Sequence, residues 1–476
     1  MTGENRALRD QAEHAVELAK KQGANDAAAS AYRSRDVELT WRDGRVEKVS
    51  EATTRGLAIE LYVDERYSSV STNDLRSEAL ERFVAEAVAV ARTLAKDPFR
   101  ALPDPKLYEG RSAVDLEHRD PAYASVTPEV RRKLARELEE AARAVKAPIL
   151  SVTTNASDSF AESVRVASNG FVGEQQTTAF WIAADVSCKD SDGRRPEMGD
   201  YAGARFFVEL PSTVDIGRRA AERTIACLGA KKTESGSMTM VVENRAAGRL
   251  VSSFLAASYA RVLQQKQSFL EGQLGNRVGS KLFTITDEPL LPRAFGSRHF
   301  DAEGIAAKRR PVVAAGVLAS YFIDVYYGRK LKLAPTSGSP SNLVMPAADS
   351  LRGTAATLAT HATHATLATH ATHATLGSPR RGMRPDDALI ANVTNGIYVT
   401  SFLGGNSNTT TGDYSFGIQG FRIRHGQRAE PIAEMNVSGN HNDLWKRLVA
   451  LGNDPWPYSS IRTPTLVFDG VSVAGV

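Results

Sequence analysis

Residues 4–22 place Leu8, Ala12, Ala15, Leu18 and Ala19 on one helical face and end at Gly23, which predicts an amphipathic helix. The period then falls to two. Val37, Leu39 and Trp41 alternate with polar residues up to Asp43-Gly44, and Val46 and Val49 follow, so this stretch predicts a β-hairpin. Gly56–Val63 predicts a further strand, with Leu57, Ile59 and Leu61 on one face. Helical spacing returns over 75–95 through Leu80, Phe83, Ala87, Val88 and Val90, and Pro98, Pro103 and Pro105 mark a connector. A charged helix is predicted over 128–145. Strands follow at Ile149–Thr154, Ser163–Ala167, Phe171–Cys188 and Tyr201–Glu209, with turns at Asn169-Gly170 and Asp192-Gly193, and then a helix over 214–228.

The polar run Lys231–Ser237 reads as a seam between domains. Beyond it come a short strand, Met238–Val242, and a helix, Ala246–Gln264, carrying Leu250, Phe254, Leu255 and Leu263. From Ser280 onward the pattern is of short strands between Gly-rich turns, at Leu282–Thr286, Val312–Val317, Ile397–Leu403, Phe421–Arg424, Glu434–Val437 and Thr465–Val473. The fold class expected is α+β. An N-terminal α/β domain with antiparallel hairpins spans 1–231, and a mainly β C-terminal domain spans 232–476. Residues 355–376 break the pattern with tandem Thr/Ala/His repeats. They read as a low-complexity surface insert at about 350–384.

Composition narrows the function classes. The chain has 476 residues, 24% of them charged, and a net charge of +4 without an arginine- or lysine-rich run, so nucleic acid is not an expected partner. No stretch is long and apolar enough to span a membrane, and the N-terminal residues lack a signal-peptide pattern; a cytoplasmic location is expected. The two cysteines, Cys188 and Cys227, are too few for a disulfide scaffold and form no CxxC pair.

Most catalytic signatures are missing. No His-Glu dipeptide occurs, so there is no HExxH or HExxxH zinc helix, and there is no GxSxG elbow. Gly275–Lys281 has Ser and Lys in the wrong order for a phosphate loop and reads as a turn. Of the nine histidines, His361, His364, His370 and His373 lie in the repeat, where an i,i+3 spacing would allow adventitious metal binding. His14, His118, His299, His425 and His441 are isolated. Four loops, Pro335–Asn342, Gly404–Tyr414, Gly439–Asp443 and Gly452–Asp454, are rich in Gly, Asn and Ser. They read either as turn chemistry or as a rim around a cleft for an extended peptide.

Several runs, in this order, resemble the TldD/PmbA family. They are ASNGFVGEQQTT (167–178), FDAEG (300–304), YFIDVYYGRKLKL (321–333), TSGSPSNLVM (336–345), the stretch 395–427, PIAEMNVSGNHNDLWKRLVALGND (431–454) and PTLVFDGVSVAG (464–475). The resemblance covers nearly the whole chain. In that family, TldD-type subunits carry HExxxH on a helix after the seam and a cysteine near the C-terminus, a ligand set suited to zinc. Here Ser252 and Ser253 stand at the His-Glu positions and Ala257 at the second His, and 455–465 has no cysteine. The resemblance therefore implies the PmbA/TldE branch, a non-catalytic subunit that pairs with a zinc-bearing TldD-like partner to process or degrade peptides and unfolded proteins. Zinc is expected in the partner, and no catalytic, cofactor-binding or metal-ligating residue is expected in this chain. The alternatives are an independent metallopeptidase using His299, His425 or His441, and a peptide-binding module without catalysis.

Overall fold

The computed structural model describes residues 3–348 and 387–476; the Thr/Ala/His repeat lies outside them. The chain divides into two compact units. The first comprises residues 1–228, 289–308 and 322–341, and the second comprises 229–288, 309–321 and 342–476.

The first unit is built on one long antiparallel sheet. In chain order its elements are α1 (Gly3–Lys21), β1 (Asp26–Arg42), β2 (Arg45–Val63), β3 (Arg66–Thr72), α2 (Ser77–Ala91), α3 (Pro128–Arg143), β4 (Ile149–Ala167), β5 (Val172–Cys188), β6 (Glu197–Ala204) and α4 (Thr213–Ile225). The strands lie in the order β3-β2-β1-β4-β5-β6. Asp43 and Gly44 both have positive φ and close the β1–β2 hairpin, as the Asp-Gly pair predicts. β1 begins at Asp26, well before the expected alternation at Val37. Its first part is Ala27, Ala28, Ala29 and Ala31, all fully buried, and side chains this small give no legible alternation while letting α1 approach the sheet. β4 is likewise one strand rather than two: its alternate positions from Val152 to Val166 are buried, with only Phe160 half-buried, and it pairs continuously with β1 from Thr153 to Ala167.

Packing on one face of this sheet fixes the helices. Leu8, Ala12, Ala15 and Ala19 of α1 and Leu80, Val84 and Val88 of α2 join Leu57, Ile59, Leu61 and Val164 in one cluster. Further along the same face, Leu39, Ala135 and Ala156 form a second cluster beneath α3. A buried guanidinium, Arg131, holds Asp158 of β4 through two hydrogen bonds of 2.5 and 2.9 Å. The hairpin tip is pinned by Glu139, which accepts from Trp41 Nε1 at 2.5 Å and from the Gly44 amide at 2.9 Å.

The second unit is strand-rich. β7 (Gly236–Val242) leads into α5 (Asn244–Leu255); then come β8 (Ile285–Asp287), β9 (Arg310–Ala314), β10 (Val317–Leu318), β11 (Leu343–Val344), β12 (Asn395–Phe402), β13 (Asn406–Ser407), β14 (Asp413–Arg424), β15 (Gln427–Asn440), β16 (Leu448–Leu451), β17 (Ile461–Arg462) and β18 (Leu466–Ala474). β12 pairs with both β7 and β14, so β12, β7, β18, β15 and β14 close into a barrel. Closure removes the exposed edges that an open sheet would carry. Arg422 of β14, fully buried, donates to Gly396 O and Asn395 Oδ1, each at 2.7 Å, and pairs with Glu234. The mixture of helix and strand confirms the α+β class.

Candidate functional site

In the second unit, α5 occupies the place where the TldD-type zinc motif would lie. Its buried positions, Ala247, Leu250, Val251, Phe254 and Leu255, follow helical spacing and turn that stripe into the core. Ser252 is left exposed and Ser253 half-buried. Ser253 Oγ donates back to the Arg249 carbonyl at 2.9 Å.

The continuous helix expected over 246–264 is not what forms. α5 starts at Asn244 and stops at Leu255. A 3₁₀ turn, Ala256–Ser258, follows, Tyr259 is extended, and a short helix resumes at Ala260–Gln264. The hydroxyls at the break explain it. Ser258 Oγ takes the Leu255 carbonyl at 2.6 Å, and Ser268 Oγ takes the Ala257 carbonyl at 2.5 Å, so these carbonyls are satisfied without a further helical turn. Ala257 is buried in that turn.

These residues do not fit zinc. The ion needs nitrogen, thiolate or carboxylate ligands, and a methyl at 257 with hydroxyls at 252 and 253 supplies none. The charges nearby are also of the wrong sign. Arg249 lies over the Phe416 ring at 5.5 Å, and Arg245 over Trp456 at 4.9 Å. Among the described residues, no group of three or more His, Cys, Asp or Glu side chains is placed to hold a metal ion. Arg245 and Arg249 stand four residues apart on the polar face of α5, a spacing visible in the sequence.

The remaining predicted candidates are scattered. His441 is fully buried between Phe269, stacked at 5.8 Å, and Tyr414 at 5.1 Å. Its Nε2 lies 3.0 Å from Ser407 Oγ, and burial pushes its pKa down to about 4. His425 sits exposed in the turn between β14 and β15 with φ of 49°. In the first unit, His299 Nε2 lies 2.8 Å from the Val114 carbonyl. With His118, Glu117, Arg119, Gln176 and Phe206 it lines a cleft of about 500 Å³. Burial, followed by the charges of Arg205 and His299, pushes His118 down to about 4. Cys188 and Cys227 are buried, and burial raises the Cys188 thiol. His361, His364, His370 and His373 fall outside the described residues.

Two of the four polar loops interlock. The His441 amide donates to Gly412 O at 2.8 Å, and Asn440 Nδ2 donates to Thr411 O at 2.8 Å and Asp413 Oδ1 at 2.9 Å. A third reaches the start of α5, where Asn244 Nδ2 donates to Asp454 O at 2.6 Å. In Pro335–Asn342, Ser337 and Ser339 accept from Arg298. Gly275–Lys281 opens no helix; the Val278 amide donates to Gly316 O at 2.8 Å.

Three family models match the chain. They are the PmbA/TldA metallopeptidase C-terminal domain over residues 235–475, domain 1 over 27–91 and the central domain over 121–228. The chain belongs to the PmbA/TldD metallopeptidase family. A relative named metalloprotease PmbA homolog, from Haemophilus influenzae, is 27% identical across 100% of this chain and 98% of its own length. Metalloprotease PmbA of Escherichia coli O157:H7 is 25% identical over 99% of this chain and 97% of its own. Among solved structures, one described as a putative modulator of DNA gyrase from Bacteroides thetaiotaomicron has 37% identity and a TM-score of 0.88, covering 98% of this chain and 99% of that one. TldE from Thermococcus kodakarensis has the same fold at 16% identity, with a TM-score of 0.79 over 98% of this chain and 100% of that one. Family membership therefore coexists with an α5 that bears no metal ligands.

Proposed function

We propose that this chain is the non-catalytic, TldE-type subunit of a two-subunit, TldD-type zinc metallopeptidase acting on peptides and unfolded proteins. The observation that carries the reading is α5, with Ser252, Ser253 and Ala257 where a zinc helix of this family would place its ligands. Supporting it are the full-length match to proteins named as metalloproteases and the shared fold with a protein named TldE. On this reading zinc and its bound water belong to a TldD-like partner. This chain's own groups complete the substrate-holding surface, and none of them moves a proton in the reaction.

Hydrolysis of an unfolded peptide tests the proposal. The chain is assayed alone, then mixed with a TldD-type subunit from the same source, each with and without chelator. Cleavage that appears only in the mixture, or rises sharply there, and stops with chelator is the expected result. Robust chelator-sensitive cleavage by this chain alone would overturn it.

A further inference from the structure

In the first unit, the FDAEG turn and the short helix Val325–Leu331 meet through one carboxyl. Glu303 Oε2 accepts the Val325 amide at 3.0 Å, and Val325 itself is buried. The turn is pinned from several sides. Asp301 Oδ1 accepts the Glu303 and Ile305 amides, each at 3.0 Å, and Phe300 bridges to Ala306 across it. Gly304 has a φ of 93°, and a Cβ there would stand 2.7 Å from the Phe171 ring. A turn held in this way keeps the Glu303 carboxyl from swinging out to water.

The helix is held less firmly. Its seven residues are too few to form a stable helix alone. Besides Glu303, it is tied by Tyr326, whose hydroxyl donates to Asp97 at 2.7 Å and whose ring lies 3.6 Å from the Arg100 guanidinium, and by Lys330, 3.6 Å from Asp97. Asp97 and Lys330 are only half-buried, so water screens that pair.

Charge around Glu303 is one-sided. Asp301 and Asp324 stand beside it along the chain, and Glu60 of β2 acts on it from the sheet. Tyr62 of β2 and Tyr108 share this neighbourhood, and burial keeps both hydroxyls un-ionised at neutral pH. Arg165 of β4 is turned to Glu60 instead, donating to its Oε1 at 2.9 Å and to Ser30 Oγ at 3.2 Å. Burial, then the three carboxylates, push the Glu303 carboxyl up to about 7 against the opposing pull of the Val325 amide.

A neutral Glu303 still accepts the Val325 amide through its carbonyl oxygen. An ionised one is poorly hydrated there, and the pinned turn leaves the helix as the side that can move. We infer that the helix Val325–Leu331 is a pH-gated latch, seated on the FDAEG turn while Glu303 is protonated and released from it when Glu303 ionises. The seated form binds the extra proton, so opening becomes commoner as pH rises above about 4.5 and levels off above about 7. The latch needs neither zinc nor a second subunit, so it stands or falls separately from the metallopeptidase reading.

Hydrogen exchange of the full chain tests it, read by mass spectrometry at pH 6 and pH 8 and corrected for the intrinsic exchange rate. Protection of residues 325–331 is expected to fall about tenfold from pH 6 to pH 8, while residues 57–63 of β2 keep theirs. In Glu303→Gln the fall should vanish, with the helix protected at both pH values. Glu60→Gln frees Arg165 to face Glu303 and should lower the pH at which the loss levels off, which keeps the test informative if Glu303→Gln does not fold. Four results would overturn the inference. They are no fall in the wild-type chain, an equal fall in residues 57–63, a fall that persists in a folded Glu303→Gln variant, and an unmoved pH profile in Glu60→Gln.

Discussion

Glu303, in the FDAEG run, shows what a single buried carboxyl does in the first unit. Its Oε2 accepts the Val325 amide at 3.0 Å, and burial, together with Asp301, Asp324 and Glu60 nearby, pushes it up to about 7. A carboxyl whose folded value lies above its unfolded one binds more protons in the folded state. It therefore opposes folding above about pH 7, and the opposition fades as pH falls toward the ordinary value near 4.5. Glu303→Gln is expected to raise the melting temperature at pH 8, by an amount corresponding to roughly 3 kcal/mol, and to leave it nearly unchanged below pH 4.5. Equal effects at both pH values in a thermal scan would contradict the assignment. Arg422 is the opposite case, a buried cation whose partners hold it well. Arg422→Ala strips hydrogen bonds from Gly396 O and Asn395, where β12 and β14 meet, and should cost about 3 kcal/mol in urea unfolding. Neither residue's role was legible in the sequence, because each depends on partners far away along the chain. The absence of ligands at Ser252, Ser253 and Ala257 was legible, since a missing His needs no structure to be seen.

At the scale of elements, hydrophobic period and turn chemistry carried most of the information. α1, α2 and the Asp43-Gly44 hairpin are where the pattern places them. The pattern failed where side chains were too small to mark a period, as in Ala27–Ala31, and where a side chain altered the backbone, as at Ser258. Glycines fail in the same way. Gly217 lies inside α4, where alanine would ordinarily strengthen a helix by up to about 1 kcal/mol. A Cβ there would stand 2.2 Å from the Leu138 carbonyl of α3 and 3.0 Å from Ala141 Cβ. Gly217→Ala is therefore expected to destabilise the first unit, by about 2 kcal/mol or more, through separation of α3 from α4. A stabilising effect in the same unfolding experiment would mean that the two helices can move apart freely.

At the scale of the whole molecule, the chain leaves its first unit and returns to it twice, through 289–308 and 322–341. Local periodicity carries no record of such returns, because Arg298 with Ser337 and Glu303 with Val325 join residues that no window of a helix or strand spans. Barrel closure is equally non-local, since β12 must meet β7 from the far side of the sequence. The functional account likewise belongs to the whole molecule: a chain of a metallopeptidase family whose own α5 holds no metal ligand.

Zinc stoichiometry tests that account most directly. Elemental analysis would be run on the isolated chain, on a version lacking residues 350–384, and on the chain purified together with a TldD-type partner. The account predicts one zinc per complex and far less than one per isolated chain, with any zinc on the isolated chain lost when the His-bearing segment is removed. One zinc per isolated chain, retained after that removal, would contradict it.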